Sequence, residues 1–215
     1  MCRSCEENAL ILTIGAGGIA SSFYGIKIPK WQCDVRDRTA VLDVIGKFKP
    51  AVVIVTAGIS NPDRIENAWH ENEINVNLVG SFNVAQAAIQ HHVKTMIFIA
   101  SVAGLHGKHG HAAYSASKAG VISLVQSLGH EGFNAYSIAP GRVNTKMRSK
   151  DYPLDVEGSR LEPSRIWEVV QKCIEGYYTP GDCIMVRKIG LERIVEEVVP
   201  TPWREELRVG LPVTI

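Results

Sequence analysis

A-L-I-L-T-I-G-A-G-G-I-A, residues 9–20, is the segment from which the architecture of this chain follows. An apolar run, β-branched at its end, stops abruptly at glycine, which is the pattern of a buried parallel strand entering a tight turn. Gly15, Gly17 and Ala20 then fall at the spacing G-x-G-x-x-G/A. In that spacing the first glycine makes the turn, the second lets backbone approach a pyrophosphate, and the third small residue lets a helix pack on the strand. A helix opening after Gly18 and Ile19 would present free N–H groups to phosphate. The alternative is a glycine turn that merely packs.

The next stretch is short. Between Ala20 and Trp31 only ten residues are available. A full mononucleotide-binding unit needs a helix, a second strand with an acidic residue near its end, and a crossover to a third strand. Here residues 21–24 finish a short helix, residues 25–28 form a stub of strand, and Pro29 breaks what precedes it. The acidic residue that would hold the adenosine ribose is missing there. Asp34 lies at about the expected ~20 residues from Gly15, yet W-Q-C-D-V reads as the end of the next strand. Lys27, Lys30, Arg36 and Arg38 crowd the region, which suits either a 2'-phosphate or an ordinary solvated surface.

From Asp37 the pattern is regular. An N-cap candidate, apolar residues Val41, Leu42, Val44, Ile45 and Phe48, and a closing Pro50 predict an amphipathic helix. Residues 51–56 predict a strand ending at Ala57-Gly58, where small residues let a cofactor lie close. Residues 69–90 predict a long helix whose middle holds Asn75 and Asn77, poor helix formers that point to another task for at least one of them. Residues 94–100 predict a strand delivering Ser101 at its carboxyl end, the edge where open α/β sheets bind ligands. A glycine- and histidine-rich loop leads to a helix over 113–128, then a strand over 134–139 turns out at Pro140-Gly141. Beyond these lie a helix over 163–175 and a last strand over 182–186, and the tail holds an amphipathic stretch at 191–198.

Chemistry concentrates at Y-S-A-S-K. Tyr114 and Lys118 are four residues apart, so on a helix their side chains share one face. A nearby ammonium is expected to acidify the phenol toward use as an acid/base catalyst, and Ser101 supplies a third hydrogen-bonding group. YxxxK alone recurs by chance in helices. His106, His109 and His111 lack the spacing of a helical ligand pair and any accompanying acid, so they read as a loop near a substrate mouth. Cys2 and Cys5 form a CxxC with no second half to complete a zinc site, and no metal is expected.

The 215 residues, 46% hydrophobic and 21% charged, suit one globular domain, with residues 1–8 as an N-terminal arm and 189–215 as a C-terminal tail. A net charge of +1 gives no global field for nucleic acid or an anionic membrane. No apolar run approaches a membrane span, and residues 1–8 carry charges where a signal peptide needs an apolar core. Five scattered cysteines do not form a disulfide framework, so a reducing, cytoplasmic setting is expected.

Taken together the motifs resemble the short-chain dehydrogenase/reductase family, in its classical form, over roughly residues 9–186. The glycine loop, with Gly15, Gly17, Gly18 and Ile19, resembles the family's cofactor loop, although the classical form spaces its glycines more widely. Asp34-Val35 looks like the pair that contacts adenine, Thr56-Ala57-Gly58 like the family's Asn-Ala-Gly strand end, and V-N-L-V-G places Asn77 at the active-site asparagine. Ser101, Tyr114 and Lys118 match the catalytic positions, with the usual thirteen-residue step from serine to tyrosine. P-G-R-V-N-T resembles the segment that holds the nicotinamide carboxamide, pointing to Pro140, Gly141, Val143 and Thr145.

The resemblance implies a Rossmann-like doubly wound parallel sheet, bound NAD or NADP, and hydride transfer to or from a small carbonyl or alcohol substrate. In that scheme Tyr114 exchanges the proton, Ser101 orients the substrate oxygen, Lys118 lowers the phenol pKa and holds the nicotinamide ribose, and Asn77 positions a water. The helices around Asn77 and Tyr114 resemble those that pair across subunits, implying a homodimer or homotetramer. The second strand and its flanking helices look curtailed. That departure keeps open a non-catalytic relative used for assembly or nucleotide sensing. An epimerase or dehydratase of the same fold is a third option, against which the chain lacks a substantial substrate domain. The exposed edge left by the deletion needs a cover, for which the tail is a candidate.

Overall fold

The computed structural model describes residues 10–67, 70–156, 158–191 and 193–200. Within these, β1 (Ile11–Ile14) ends at Gly15, whose φ of +108° is open to glycine alone. A single four-residue 3-10 turn, Ile19–Ser22, stands where a short helix ending at residue 24 was expected, and β2 (Ile26–Ile28) is the predicted stub. Asp34 and Val35 lie in a loop beyond it, so W-Q-C-D-V is not the end of a strand. Three strand residues and one helical turn exhaust the available chain.

The helix α1 (Arg38–Phe48) begins where Asp37 accepts a hydrogen bond from the Ala40 N–H at 3.1 Å, and ends at Lys49 in the left-handed region. After β3 (Val52–Val55) come α2 (Glu71–Ile74), a π-helical segment over Asn75–Val79, and α3 (Gly80–Gln90). The long helix expected over 69–90 is therefore interrupted at its two asparagines. The remaining elements are β4 (Thr95–Ile99), α4 (Ala112–His130), β5 (Ala135–Pro140), α5 (Lys146–Asp151), α6 (Pro163–Ile174), β6 (Cys183–Ile189) and β7 (Arg193–Val198).

The strands form one sheet in the order β2-β1-β3-β4-β5-β6-β7, parallel except for the antiparallel β6–β7 pair. Alternation along each strand serves two cores. Val53, Val55, Met96 and Phe98 face the helices α1, α3 and α4, whereas Val52, Ile54, Ile97 and Ile99 face α6 and the 3-10 turn. This is the doubly wound arrangement. The chain leaves β1 toward one edge and returns as β3 on the other side of β1, creating the switch point at which such sheets bind ligands.

One expectation about the tail is corrected. Residues 182–186 do not form the last strand, because the amphipathic stretch after Gly190 turns back as β7. That hairpin covers the β6 edge, leaving β2 at the opposite edge of the sheet. The expected N-terminal arm with Cys2 and Cys5, the residues beyond 200, and Trp69 lie outside the described residues. Among the described residues no helix is long and apolar enough to cross a membrane.

Candidate active site

The ends of β1, β3, β4 and β5, together with the π segment and α4, build the site. Ser101 follows β4 and caps a short 3-10 turn, its Oγ accepting from the Ala103 N–H at 3.1 Å. Tyr114 stands in the first turn of α4 and shares a cavity wall with Ser101. One turn further, Lys118 is almost fully buried and donates from Nζ to the Ile99 carbonyl at 2.8 Å. Its Nζ lies 5.8 Å from the centre of the Tyr114 ring.

Asn77 reaches the same place from the π segment. Its Oδ1 accepts from the Ile59 N–H at 2.8 Å, while Nδ2 donates to the Ile59 carbonyl at 3.0 Å and to Ser117 Oγ at 3.1 Å. The side chain thus pairs with backbone as another strand would. Gly58 makes this convergence possible, since a Cβ there would sit 3.3 Å from Asn77 Oδ1 and 3.4 Å from Lys118 Nζ.

Burial governs the electrostatics. It pushes the Tyr114 phenol up from its ordinary value, against the hydrogen bond with Ser101, and the charges of Glu73 and Asp151 add to the rise. Burial also pushes the Lys118 ammonium down to about 8. The expectation that Lys118 acidifies Tyr114 is therefore corrected. Loss of water at the phenol outweighs stabilisation of the phenolate, and Lys118 directs a proton to the Ile99 carbonyl.

A cavity of about 790 Å³ opens beside Ser101 and Tyr114, with Ile19, Pro140, Gly141, Val143 and Thr145 in its wall. The glycine loop and the P-G-R-V-N-T segment therefore meet at one opening. A Cβ on Gly18 would fall 2.5 Å from Thr145 Cβ, one on Gly15 would fall 2.6 Å from the Ala57 nitrogen, and Gly17 faces open space. This cradle of bare backbone fits the pyrophosphate and nicotinamide portions of a dinucleotide. The short 3-10 turn supplies no helix N-terminus of useful length for phosphate, contrary to the sequence expectation.

Asp34 and Val35 are not brought to the cavity. The Asp34 carboxylate is engaged by Arg36 through Nε at 3.0 Å and Nη2 at 2.6 Å, which holds it down at about 2. Val35 is buried against Gly80, and its carbonyl accepts from Asn83 Nδ2 at 2.9 Å. Their location serves the packing of α3 against the loop.

Sequence reasoning missed two participants. Glu73, one turn before Asn77, is buried and accepts from the Asn61 N–H at 2.9 Å, fixing the loop beyond Gly58. Tyr152 lies across the cavity and hydrogen-bonds His111 Nε2 at 2.7 Å, while His111 Nδ1 lies 2.9 Å from the His109 carbonyl. The acid at four before Asn77 was a usable signal, whereas nothing in the chain marks Tyr152.

Residues 19–153 match the family model described as short chain dehydrogenase. The chain belongs to the short-chain dehydrogenase family. As such it is 32% identical to the 3-oxoacyl-[acyl-carrier-protein] reductase MabA of Mycobacterium avium over 160 residues, which are 67% of this chain and 61% of that protein. It is 40% identical to the human (3R)-3-hydroxyacyl-CoA dehydrogenase over 139 residues, covering 56% of this chain and 53% of the relative. The chain thus spans less than two thirds of the length of these curated relatives. Among solved structures, the Thermoplasma acidophilum aldohexose dehydrogenase superposes with a TM-score of 0.72 at 20% identity, over 82% of this chain and 92% of that one. A Brucella melitensis 3-oxoacyl-[acyl-carrier protein] reductase with bound NAD gives 0.69 at 19% identity, over 84% and 90%. Such likenesses establish the shared fold of the short-chain dehydrogenases, whose cofactor is NAD or NADP.

Proposed function

We propose that the chain is an NAD(P)-dependent oxidoreductase that moves a hydride between nicotinamide and the carbon of a carbonyl or alcohol, with Tyr114 as the general acid/base. The observation that carries this reading is that Ser101 and Tyr114 share the wall of one cavity, with Lys118 buried one turn behind Tyr114. When bound, the nicotinamide supplies or accepts the hydride. The chain's own residues manage the proton. In carbonyl reduction Tyr114 Oη gives its proton to the substrate oxygen. Ser101 Oγ orients that oxygen, and Lys118 and Asn77 extend the path by which Tyr114 recovers a proton. Gly15, Gly17, Gly18, Ile19, Ala57 and Gly58 line the approach of the cofactor, and Pro140, Gly141, Val143 and Thr145 receive its nicotinamide end. The names of the curated relatives make 3-oxoacyl and 3-hydroxyacyl thioesters the first substrates to assay.

Replacing Tyr114 with Phe removes the transferable proton and is expected to lower kcat by at least about a hundredfold, with NADPH or NADH binding retained. Full activity in Tyr114→Phe would remove the tyrosine from this role. The half-exposed Val79 and Phe82, on the outer face of the π segment and α3, support pairing of two copies through these helices.

A second reading, a non-catalytic relative acting in assembly or nucleotide sensing, is favoured by the three-residue β2 and the single 3-10 turn of the adenosine half. Titration of purified protein with NADH and NADPH, read by nicotinamide fluorescence, separates the two. No binding at millimolar concentration favours the second.

A further inference from the structure

The wall of the cavity is unbalanced in charge. Lys108, Arg142, Arg148, Arg187 and Lys188 line it against two described carboxylates, Asp151 and Asp155. Asp155 is already engaged: Arg148 binds it through Nε at 2.6 Å and Nη2 at 2.8 Å, and Arg160 adds a third contact at 3.2 Å. Lys188 donates to the Gly158 carbonyl at 2.6 Å, and Lys108 lies 4.0 Å over the Tyr152 ring. Two cations remain. Among the described residues no carboxylate forms an ion pair with Arg142 or Arg187.

Arg142 follows the end of β5, and Arg187 lies within the neighbouring strand β6. Pro140 of β5 is in register with Val186 of β6, so Arg187 lies beside Gly141 and next to Arg142. A Cβ on Gly141 would stand 3.1 Å from Arg187 Cβ, which confirms how closely the two chains run there. Adjacent parallel strands are about 4.8 Å apart, a spacing from which two guanidinium groups can converge on one carboxylate or phosphate. Without an anion between them they repel, in a concave wall that focuses their field. The segment that carries Arg142 also carries the nicotinamide-facing residues Gly141 and Val143, so an anion held there lies on the same opening as Ser101 and Tyr114.

We propose that the substrate of this cavity bears an anionic group, a carboxylate or a phosphate, seated on Arg142 and Arg187 while its carbonyl or alcohol oxygen meets Ser101 and Tyr114. This rests on the oxidoreductase reading above. The probes are two matched pairs, acetoacetate with methyl acetoacetate and dihydroxyacetone phosphate with dihydroxyacetone, each followed by kcat/KM and by calorimetric binding. In the wild type, one anion is expected to exceed its neutral partner by about tenfold or more in kcat/KM and in affinity, and the pair preferred tells carboxylate from phosphate. Arg142→Gln/Arg187→Gln should bring that ratio toward one, and added salt should erode it in the wild type. The salt series requires no variant, so the outcome stands even if the double substitution fails to fold. Equal binding of both members of each pair, or a preference that survives the double substitution in a protein with native circular dichroism, overturns the anion site. Preferential anion binding with no turnover of either member removes the oxidoreductase reading alone. Turnover without preference removes the anion site alone.

Discussion

Lys118 is a charge held where water does not reach. Its one described hydrogen bond, to the Ile99 carbonyl, does not compensate for that loss, and burial brings its pKa from 10.5 to about 8. Above about pH 8 the folded chain sheds a proton that the unfolded chain keeps until about 10.5, so this group makes stability rise with pH across that window. Lys118→Met is therefore expected to flatten the rise relative to wild type, measured by urea unfolding at a series of pH values from about 7.5 to about 10.5. Parallel pH profiles for the two proteins would show that the ammonium is not desolvated in the fold. The placement of Lys118 one turn from Tyr114 was legible from the spacing of four, and Asn77 from being a poor helix former in an otherwise apolar run. The direction of the Tyr114 shift was not. It is decided by how much water the neighbouring elements exclude, a sum over non-local packing that no local motif carries.

At the scale of elements, the segments with one dominant period were readable and those with a second constraint were not. The apolar strands and α1 follow directly from their patterns. The π segment departs from its helix because one extra residue per turn lets the Asn77 amide face Ile59 backbone, a requirement visible only once β3 lies alongside. The strand β7 has a similar origin. R-I-V-E-E-V is amphipathic without a clear period, and its pairing is chosen by the free edge of β6. Glu196 then fastens it to α6, accepting from Lys172 Nζ at 2.6 Å, from Arg165 Nη2 at 3.0 Å and from the Tyr178 hydroxyl. Burial raises the Glu196 pKa, but the hydrogen bonds from Lys172 and Tyr178 outweigh it and the net direction is down. Its contribution is present above the ordinary carboxylate range and is lost as pH falls through the lowered folded value. Glu196→Ala is expected to cost about 2 kcal/mol, seen as a lower urea midpoint at pH 7. An unchanged midpoint would mean that β7 holds by its backbone pairing alone.

Across the whole molecule the sheet is lopsided, with three residues of β2 at one edge and a full hairpin at the other. The sequence disclosed the deletion through the count of residues between the glycine loop and Trp31, but the partner of each edge depends on where distant strands fall. What compensates behind the shortened half is aromatic. Phe23 and Tyr24, directly after the 3-10 turn, each lie with ring centroids 5.4 Å from that of Trp167 on α6. Phe23 is almost fully buried, and the Trp167 N–H has no hydrogen-bond partner among the described residues. An indole in such a dry setting emits at short wavelength, and reduced nicotinamide absorbs where indoles emit. Trp167 is thus an optical reporter wired by two rings to the glycine loop. Titration with reduced nicotinamide cofactor should quench a blue component of the emission that Trp167→Phe abolishes, whereas identical quenching in both proteins would place the emitter elsewhere. The contact that replaces a missing helix also makes the occupancy of the loop observable by light alone.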